Sequence, residues 1–209
     1  MTGGVLYVVS GPSGAGKSTV IKRALNKVDG FSFSVSYTTR EKRPGEIEGK
    51  DYFFVSEEEF HKLKAKGEFL EYAEVHGYYY GTSKTFIKDK LDEGYNIVLD
   101  VDVQGSLNIK KEMPHDSVLI FVVPPSYKEL QKRLRGRGTE NEKDLKKRLE
   151  DSKWEIQQMD EFDYLLENND VPESVNRLVS IIIAEQLRIA RIRDGLEEKV
   201  DKFFKHDFS

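Results

Sequence analysis

The chain has 209 residues, enough to bury a core in one domain of ordinary size or one carrying substantial insertions, and its 38% hydrophobic and 33% charged content describes a folded, highly charged protein rather than a disordered one. A net charge of −4 argues against nucleic acid as a partner held by bulk electrostatics, which needs a clustered positive surface. The absence of cysteine excludes disulfides, thiolate metal sites and cysteine nucleophiles together, and fits a reducing cytoplasmic location.

Met1 to Gly4 lead directly into an apolar run with no basic leader region and no segment long enough to span a bilayer, so a soluble protein with no membrane partner is expected. That run, Val5 to Val9, is β-branched and ends at Ser10-Gly11-Pro12, which predicts a buried parallel strand entering a tight turn. Val20, Ile21, Ala24, Leu25 and Val28 then recur at helical spacing after Lys17, with Asp29-Gly30 as the expected stop. Residues 36–83 break the rhythm. They are rich in Tyr, Phe, Thr and Gly, with short strands expected around Tyr52 to Val55, Phe69 to Val75 and Tyr78 to Thr82, and one helix from Ser56 to about Lys66. Two further buried strands, Asn96 to Leu99 ending in Asp100 and Val118 to Val123 ending in Pro124-Pro125, each precede a helical pattern. Ser126, Leu130 and Leu134 predict a capped helix, and residues 142–160 a second, unusually charged one. Val175, Leu178, Val179, Ile182, Ile183, Leu187 and Ala190 mark one apolar face of a C-terminal helix, and the charged tail 194–209 reads as either a docked helix or a frayed end. Strand and helix in alternation predict an α/β fold, a parallel sheet flanked by helices, with 36–83 as an inserted α+β subdomain.

Gly11-Pro12-Ser13-Gly14-Ala15-Gly16-Lys17-Ser18 matches G-x-x-x-x-G-K-[S/T] in full, between an expected strand and an expected helix. Glycines let such a P-loop wind round phosphate oxygens with its N–H groups inward, and the helix N-terminus adds its positive end. Lys17 is then expected to neutralise β- and γ-phosphate charge, and Ser18 to offer a hydroxyl to Mg²⁺. The loop alone leaves the acceptor open, since ATPases, switches and small-molecule kinases share it. Asp100 and Asp102 stand where an open α/β sheet presents its ligands, at the carboxyl end of a strand; one is expected near the metal, and one of them could simply cap the helix starting near Val103. Arg40 and Arg43, three residues apart after several hydroxyls, are suited to bidentate phosphate binding, although alone they could be a solvated basic loop.

Six ordered segments, Ser10–Thr19, Phe33–Glu46, Gly49–Ser56, Tyr79–Thr82, Leu99–Gly105 and Arg133–Glu140, together resemble the guanylate kinase family over nearly the whole chain, from Val5 to about Ala190. The resemblance implies an ATP:GMP phosphotransferase with Mg²⁺, and with dGMP as a second acceptor. It implies a P-loop core built from 1–35, 84–125 and 150–193, a GMP-binding subdomain at 36–83 and a mobile lid in 126–149. ATP would be bound by Gly11, Pro12, Ser13, Gly14, Ala15, Gly16, Lys17, Ser18 and Thr19, with Asn168 against the adenine unless it is a turn residue ending a strand. Arg40, Arg43, Tyr52 and Tyr80 would hold the GMP phosphate, while Ser36, Glu71, Thr82 and Asp102 would read guanine. Lys17, Arg43, Asp100 and the lid arginines Arg137 and Arg148 would act on the transferring group, with Ser18 and Asp100, directly or through water, serving the metal. Guanine suits a carboxylate because N1–H and N2–H₂ donate as a pair, which adenine cannot match on that edge. Alternation along Glu68-Phe69-Leu70-Glu71-Tyr72 sets Glu71 on the face of Phe69, pointing inward. Tyr37 departs from the family, which usually has a small residue there. A competing reading is a non-catalytic module of the same fold that uses the GMP cleft to hold a phosphopeptide; such modules have lost the P-loop lysine or shortened the loop, and this chain keeps Gly16, Lys17 and Ser18. The expected assembly is a monomer or small homo-oligomer.

Overall fold

The computed structural model describes residues 3–75, 77–135, 142–191 and 196–205. Its centre is strand β1 (Leu6–Ser10), buried throughout because it lies between two parallel neighbours and under helices on both faces. Those neighbours are β7 (Asn96–Asp100) and β8 (Ser117–Val123), and the parallel sheet is completed by β2 (Phe31–Phe33) beside β7 and β9 (Tyr164–Glu167) beside β8, in the order β2-β7-β1-β8-β9. Alternation splits the core in two. Val5, Tyr7 and Val9 pack with Val20 and Ala24 of α1 (Lys17–Leu25) and with Val175, Leu178 and Ile182 of α7 (Val171–Gln186). Leu6 and Val8 pack on the other side, with Ile87 and Leu91 of α3 (Lys84–Asp92) and Ile109 of α4 (Val103–Glu112).

Residues 36–83 form a second sheet, β4 (Tyr52–Phe54), β3 (Ser36–Thr38), β6 (Tyr78–Ser83) and β5 (Phe69–Val75) in that order, with α2 (Glu57–Ala65) between β4 and β5. β3 runs antiparallel to β6 but parallel to β4. A parallel pair cannot be closed by a tight hairpin, so residues 39–51 travel back along the sheet, and this return carries Arg40, Arg43 and Glu46. A bulge lies between Phe69 and Glu71: Phe69 pairs with Ser83 and Glu71 with Thr82. Because Thr82 and Ser83 are adjacent, Phe69 and Glu71 face opposite sides, and the simple alternation that set them together is corrected. Phe69 stacks on Phe60 of α2 (4.6 Å between centroids) and meets Tyr37, which also lies 4.8 Å from Phe53. The aromatic side chain at 37 thus packs behind the sheet, away from the polar face that holds Glu71. Gly81 sits under the Phe69 ring, where a Cβ would come within 2.9 Å.

The remaining elements are α5 (Tyr127–Arg135), capped by Ser126, then α6 (Glu142–Gln157), a 3-10 turn at Met159–Glu161, and α8 (Leu196–Lys205). α1 stops at Asn26, earlier than the Asp29-Gly30 stop expected, and Gly30 at φ +78° instead turns the chain into β2. α7 ends at Gln186, short of Leu187 and Ala190, and its apolar face is narrower than the spacing suggests: Ile183 is 49% exposed and Leu187, just past its end, 71%, while Glu185 is buried at 1%. The Tyr164 hydroxyl (2.5 Å), Arg191 Nε (3.1 Å) and Arg188 Nη1 (3.3 Å) all donate to the Glu185 carboxylate, which makes the burial tolerable. The tail forms α8, with Val200, Phe203 and Phe204 exposed. Among the described residues, no helix is long and apolar enough to cross a membrane.

Candidate active site

The loop between β1 and α1 is wound by three glycines at positive φ, Gly11, Gly14 and Gly16. Space enforces the first as well as torsion, since a Cβ on Gly11 would lie 2.0 Å from the Val122 carbonyl oxygen. Gly16 occupies the N-cap of α1 without a side-chain cap, and no acidic residue stands in the first turn, which leaves the positive helix end to a bound anion. Lys17 Nζ donates to the Gly11 carbonyl (2.7 Å), bridging the loop, and lies 3.9 Å from Asp100 Oδ1. Ser18 Oγ donates to Asp100 Oδ2 (2.8 Å). The pairing of Val9 with Asp100 in the β1–β7 ladder brings that carboxylate beside a loop some 80 residues away in the chain.

The two aspartates at the end of β7 divide the roles left open by the sequence. Asp100 faces Ser18 and Lys17, whereas Asp102 caps α4, its Oδ1 accepting from Gly105 N–H (2.6 Å). Asp102 also faces the second sheet. Glu71 packs over α4, where a Cβ on Gly105 would lie 3.7 Å from the Glu71 Cβ. Burial pushes the Glu71 carboxyl above the ordinary carboxylate range; the Thr82 hydroxyl, donating to Oε1 at 2.5 Å, works against that shift, and the nearby charge of Asp102 adds to it. Ser36 pairs directly with Thr82 and Thr38 with Tyr80, so Ser36, Glu71, Thr82, Tyr80 and Tyr52 share one polar face.

On that face Arg40 is buried to 8% exposure. Its guanidinium grips Glu46 in a fork, Nη2 to Oε1 at 2.6 Å and Nη1 to Oε2 at 3.1 Å, while Nη1 also donates to the Glu41 carbonyl (2.6 Å). The same carboxylate accepts from the Arg43 N–H (2.7 Å), which ties both arginine positions to one anchor. Glu46 raises the Arg40 guanidinium further above its ordinary range, and Arg40 in turn holds Glu46 below its own. Tyr52 and Tyr80 close the pocket, their rings 6.0 Å apart and Tyr52 lying 5.5 Å from the Arg40 guanidinium carbon.

Arg148 of α6 reaches the loop, Nη1 standing 3.4 Å from Ser13 Oγ. Arg137 lies outside the described residues. Asn168, just past β9, is 2% exposed and donates from Nδ2 to the Ala15 carbonyl at 2.7 Å, joined there by Arg133. Glu46 and Arg133 stand in the sequence segments above without a role; Glu41 and Glu48 flank Glu46, so nothing local singles it out as the anchor of Arg40. Glu155 was missed altogether. Burial raises its carboxyl while the charge of Lys17 lowers it, and nothing in the sequence marks one Glu among many on a charged helix.

A family description, guanylate kinase, matches residues 4–185. The chain is 50% identical to a guanylate kinase of Thermotoga maritima over 194 residues, 93% of each protein, and 47% identical to one of Streptococcus thermophilus over 190 residues, 90% of each. Its fold matches a crystal structure of guanylate kinase from Anaplasma phagocytophilum with a TM-score of 0.71 at 35% identity, covering 97% of this chain and 96% of that one.

Proposed function

The chain belongs to the guanylate kinase family and transfers the terminal phosphoryl group of ATP to GMP; we propose that the transfer runs in line, with no covalent enzyme intermediate, between a donor cleft on the P-loop and an acceptor cleft on the second sheet. The observation that carries this reading is the division at the end of β7. Asp100 touches Ser18 of the donor loop while Asp102, two residues on, stands beside Glu71, so two substrates bound at these points meet across a single strand end.

On the donor side, Gly11 to Thr19 wrap the triphosphate with backbone N–H groups, and Lys17 neutralises the charge of the transferring group together with Arg148 and, from the lid, Arg137. Ser18 and Asp100 offer the hard oxygen donors that Mg²⁺ prefers, and an ion that shares its shell with phosphates needs no more than one or two from the protein. When bound there, Mg²⁺ neutralises phosphate charge as it spreads in transfer. On the acceptor side, Arg40 and Arg43 hold the GMP phosphate with the Tyr52 and Tyr80 hydroxyls. Glu46 and the Glu41 carbonyl engage three of Arg40's five N–H donors, which fixes the guanidinium and leaves donors for a phosphate. Ser36, Glu71, Thr82 and Asp102 read guanine, Glu71 accepting from N1–H and N2–H₂ in a buried setting where those bonds count most. The acceptor phosphate needs no dedicated base, since its second pKa of about 6 leaves it largely ionised near neutrality. Residues 36–83 serve as the acceptor module and 126–149 as a lid that excludes water and so prevents hydrolysis of ATP. dGMP presents the same base and phosphate to these groups and is proposed as a second acceptor.

The test is a coupled ADP-release assay with ATP and Mg²⁺, offering GMP, AMP, UMP and CMP separately to the wild type and to Glu71→Gln. ADP release with GMP alone, sharply weakened by the substitution, is the expected result. Folded protein that releases no ADP with any of the four would overturn it.

A further inference from the structure

Loops that bind phosphate through N–H groups must turn the carbonyls of the same peptide units outward, where each needs a donor of its own. The Ala15 carbonyl and the Gly16 N–H belong to one planar trans peptide and point in opposite directions. Whatever fixes that carbonyl therefore fixes that N–H. Two side chains from distant parts of the chain do so. Asn168 Nδ2 donates to the Ala15 oxygen at 2.7 Å, and Arg133 Nη1 reaches it at 3.4 Å. Both are held from behind: Asn168 N–H donates to the Val123 carbonyl at the end of β8 (2.7 Å), and Arg133 is tied by Nε to Glu129 (3.0 Å) and by Nη2 to the Asn168 carbonyl (3.0 Å). The approach is close enough that a Cβ on Gly16 would lie 2.4 Å from Asn168 Nδ2. Gly16, at φ +92°, is also the residue type for which the neighbouring peptide flips most readily, so the loop needs an external constraint at this point.

The geometry points to Asn168 and Arg133 as positioning residues that lock the Ala15–Gly16 peptide with its N–H toward the donor's phosphates, so that they act on the triphosphate whatever base it carries. This rests on reading the loop as the ATP site of the kinase. It differs from a contact with adenine in a measurable way. A reader of the base loses affinity for ATP alone, whereas a constraint on the peptide weakens every ligand that binds the loop, including one with no base.

The experiment compares wild type with Asn168→Ala, Arg133→Met and the double variant. It measures KM for ATP and for ITP, which carries a 6-oxo group in place of the 6-amino group, KM for GMP, the inhibition constant of inorganic tripolyphosphate against ATP, and the melting temperature. Each single variant is expected to raise KM for ATP and ITP and Ki for tripolyphosphate by a common factor of about five to ten, the size of one lost directed hydrogen bond. The GMP KM stays put, and the double variant is little worse than the weaker single because both act through one oxygen. A loss confined to ATP that spares tripolyphosphate overturns the proposal in favour of base recognition. Equal losses for GMP and tripolyphosphate overturn it in favour of general destabilisation, and unchanged constants overturn it outright. If Asn168→Ala does not fold, Arg133→Met decides alone, since that side chain is partly exposed. Should the wild type phosphorylate no GMP, the kinase reading fails, while tripolyphosphate binding, followed directly by calorimetry, still tests the lock.

Discussion

On the proposed reading, the donor and acceptor ends of this molecule solve the same problem, holding a phosphate, with opposite materials. The donor loop uses backbone N–H groups and one lysine from eight consecutive residues, and its precision comes from glycine torsions and from the Val122 and Asn168 groups that crowd it. The acceptor end uses side chains, gathered from β3, β4, β5, β6 and the 39–51 return, and its precision comes from sheet register and from Glu46 gripping Arg40. A backbone site is written locally and tolerates variation around it. A side-chain site depends on every pairing that aims its members.

Breaking the donor end directly should have the largest effect. Lys17→Met is expected to lower kcat by about a thousandfold or more while leaving GMP binding, read by calorimetry, near its wild-type value. Glu71→Gln should come next, raising KM for GMP by about a hundredfold, since a buried reader then presents an amide N–H₂ where guanine also donates. Stability should not fall with it. A carboxyl whose pKa is raised by burial binds its proton more tightly folded than unfolded, so its charge opposes folding above the folded pKa, and the neutral amide removes that cost; an unchanged or higher Tm checks this. The same shift sharpens the comparison through pH. As pH falls through the raised Glu71 value, KM for GMP should climb toward about tenfold per unit, and Glu71→Gln should erase that limb while the ATP profile keeps its shape. Gly81→Val tests register rather than chemistry: its side chain must enter space held by the Phe69 ring, costing about 1–3 kcal/mol and raising the GMP KM more than the ATP KM. The smallest functional effect belongs to a residue outside both ends. Burial would raise the Glu185 carboxyl, but donation from Tyr164, Arg191 and Arg188 outweighs it and holds the pKa low. Its stabilisation is therefore present above the unfolded carboxylate pKa and lost as pH falls through the folded one, so Glu185→Gln should lower Tm near neutrality, flatten the acid limb of stability, and leave both KM values alone.

What could be read from the sequence follows the same division. The P-loop was legible because its parts are neighbours, and the core strands because burial on both faces leaves continuous apolar runs. Alternation sets Glu71 on the face of Phe69, but a bulge, invisible to periodicity, turns it to the opposite one. Asp100 and Asp102 could not be told apart until the β1–β7 ladder and the α4 cap were seen. Ile183 and Leu187 looked like core because spacing alone cannot reveal that Glu185, satisfied by three donors, takes the buried position. The Arg133 and Asn168 contacts with Ala15 bridge over a hundred residues, and no local pattern announces them.

The strands that flank the insertion pair with each other, Phe31 with Asn96, so the parallel sheet is continuous across the point where residues 36–83 depart and return. In terms of descent and recombination, that segment is close to a transplantable cassette: an exchanged version could bring a new acceptor without rewriting the donor machinery. The graft would have two seams to match. Leu70 is sunk into the core beside Ile87 and Leu119, and Glu71 lies against Gly105 of α4, so a foreign segment needs an apolar residue followed by one that fits closely over a glycine.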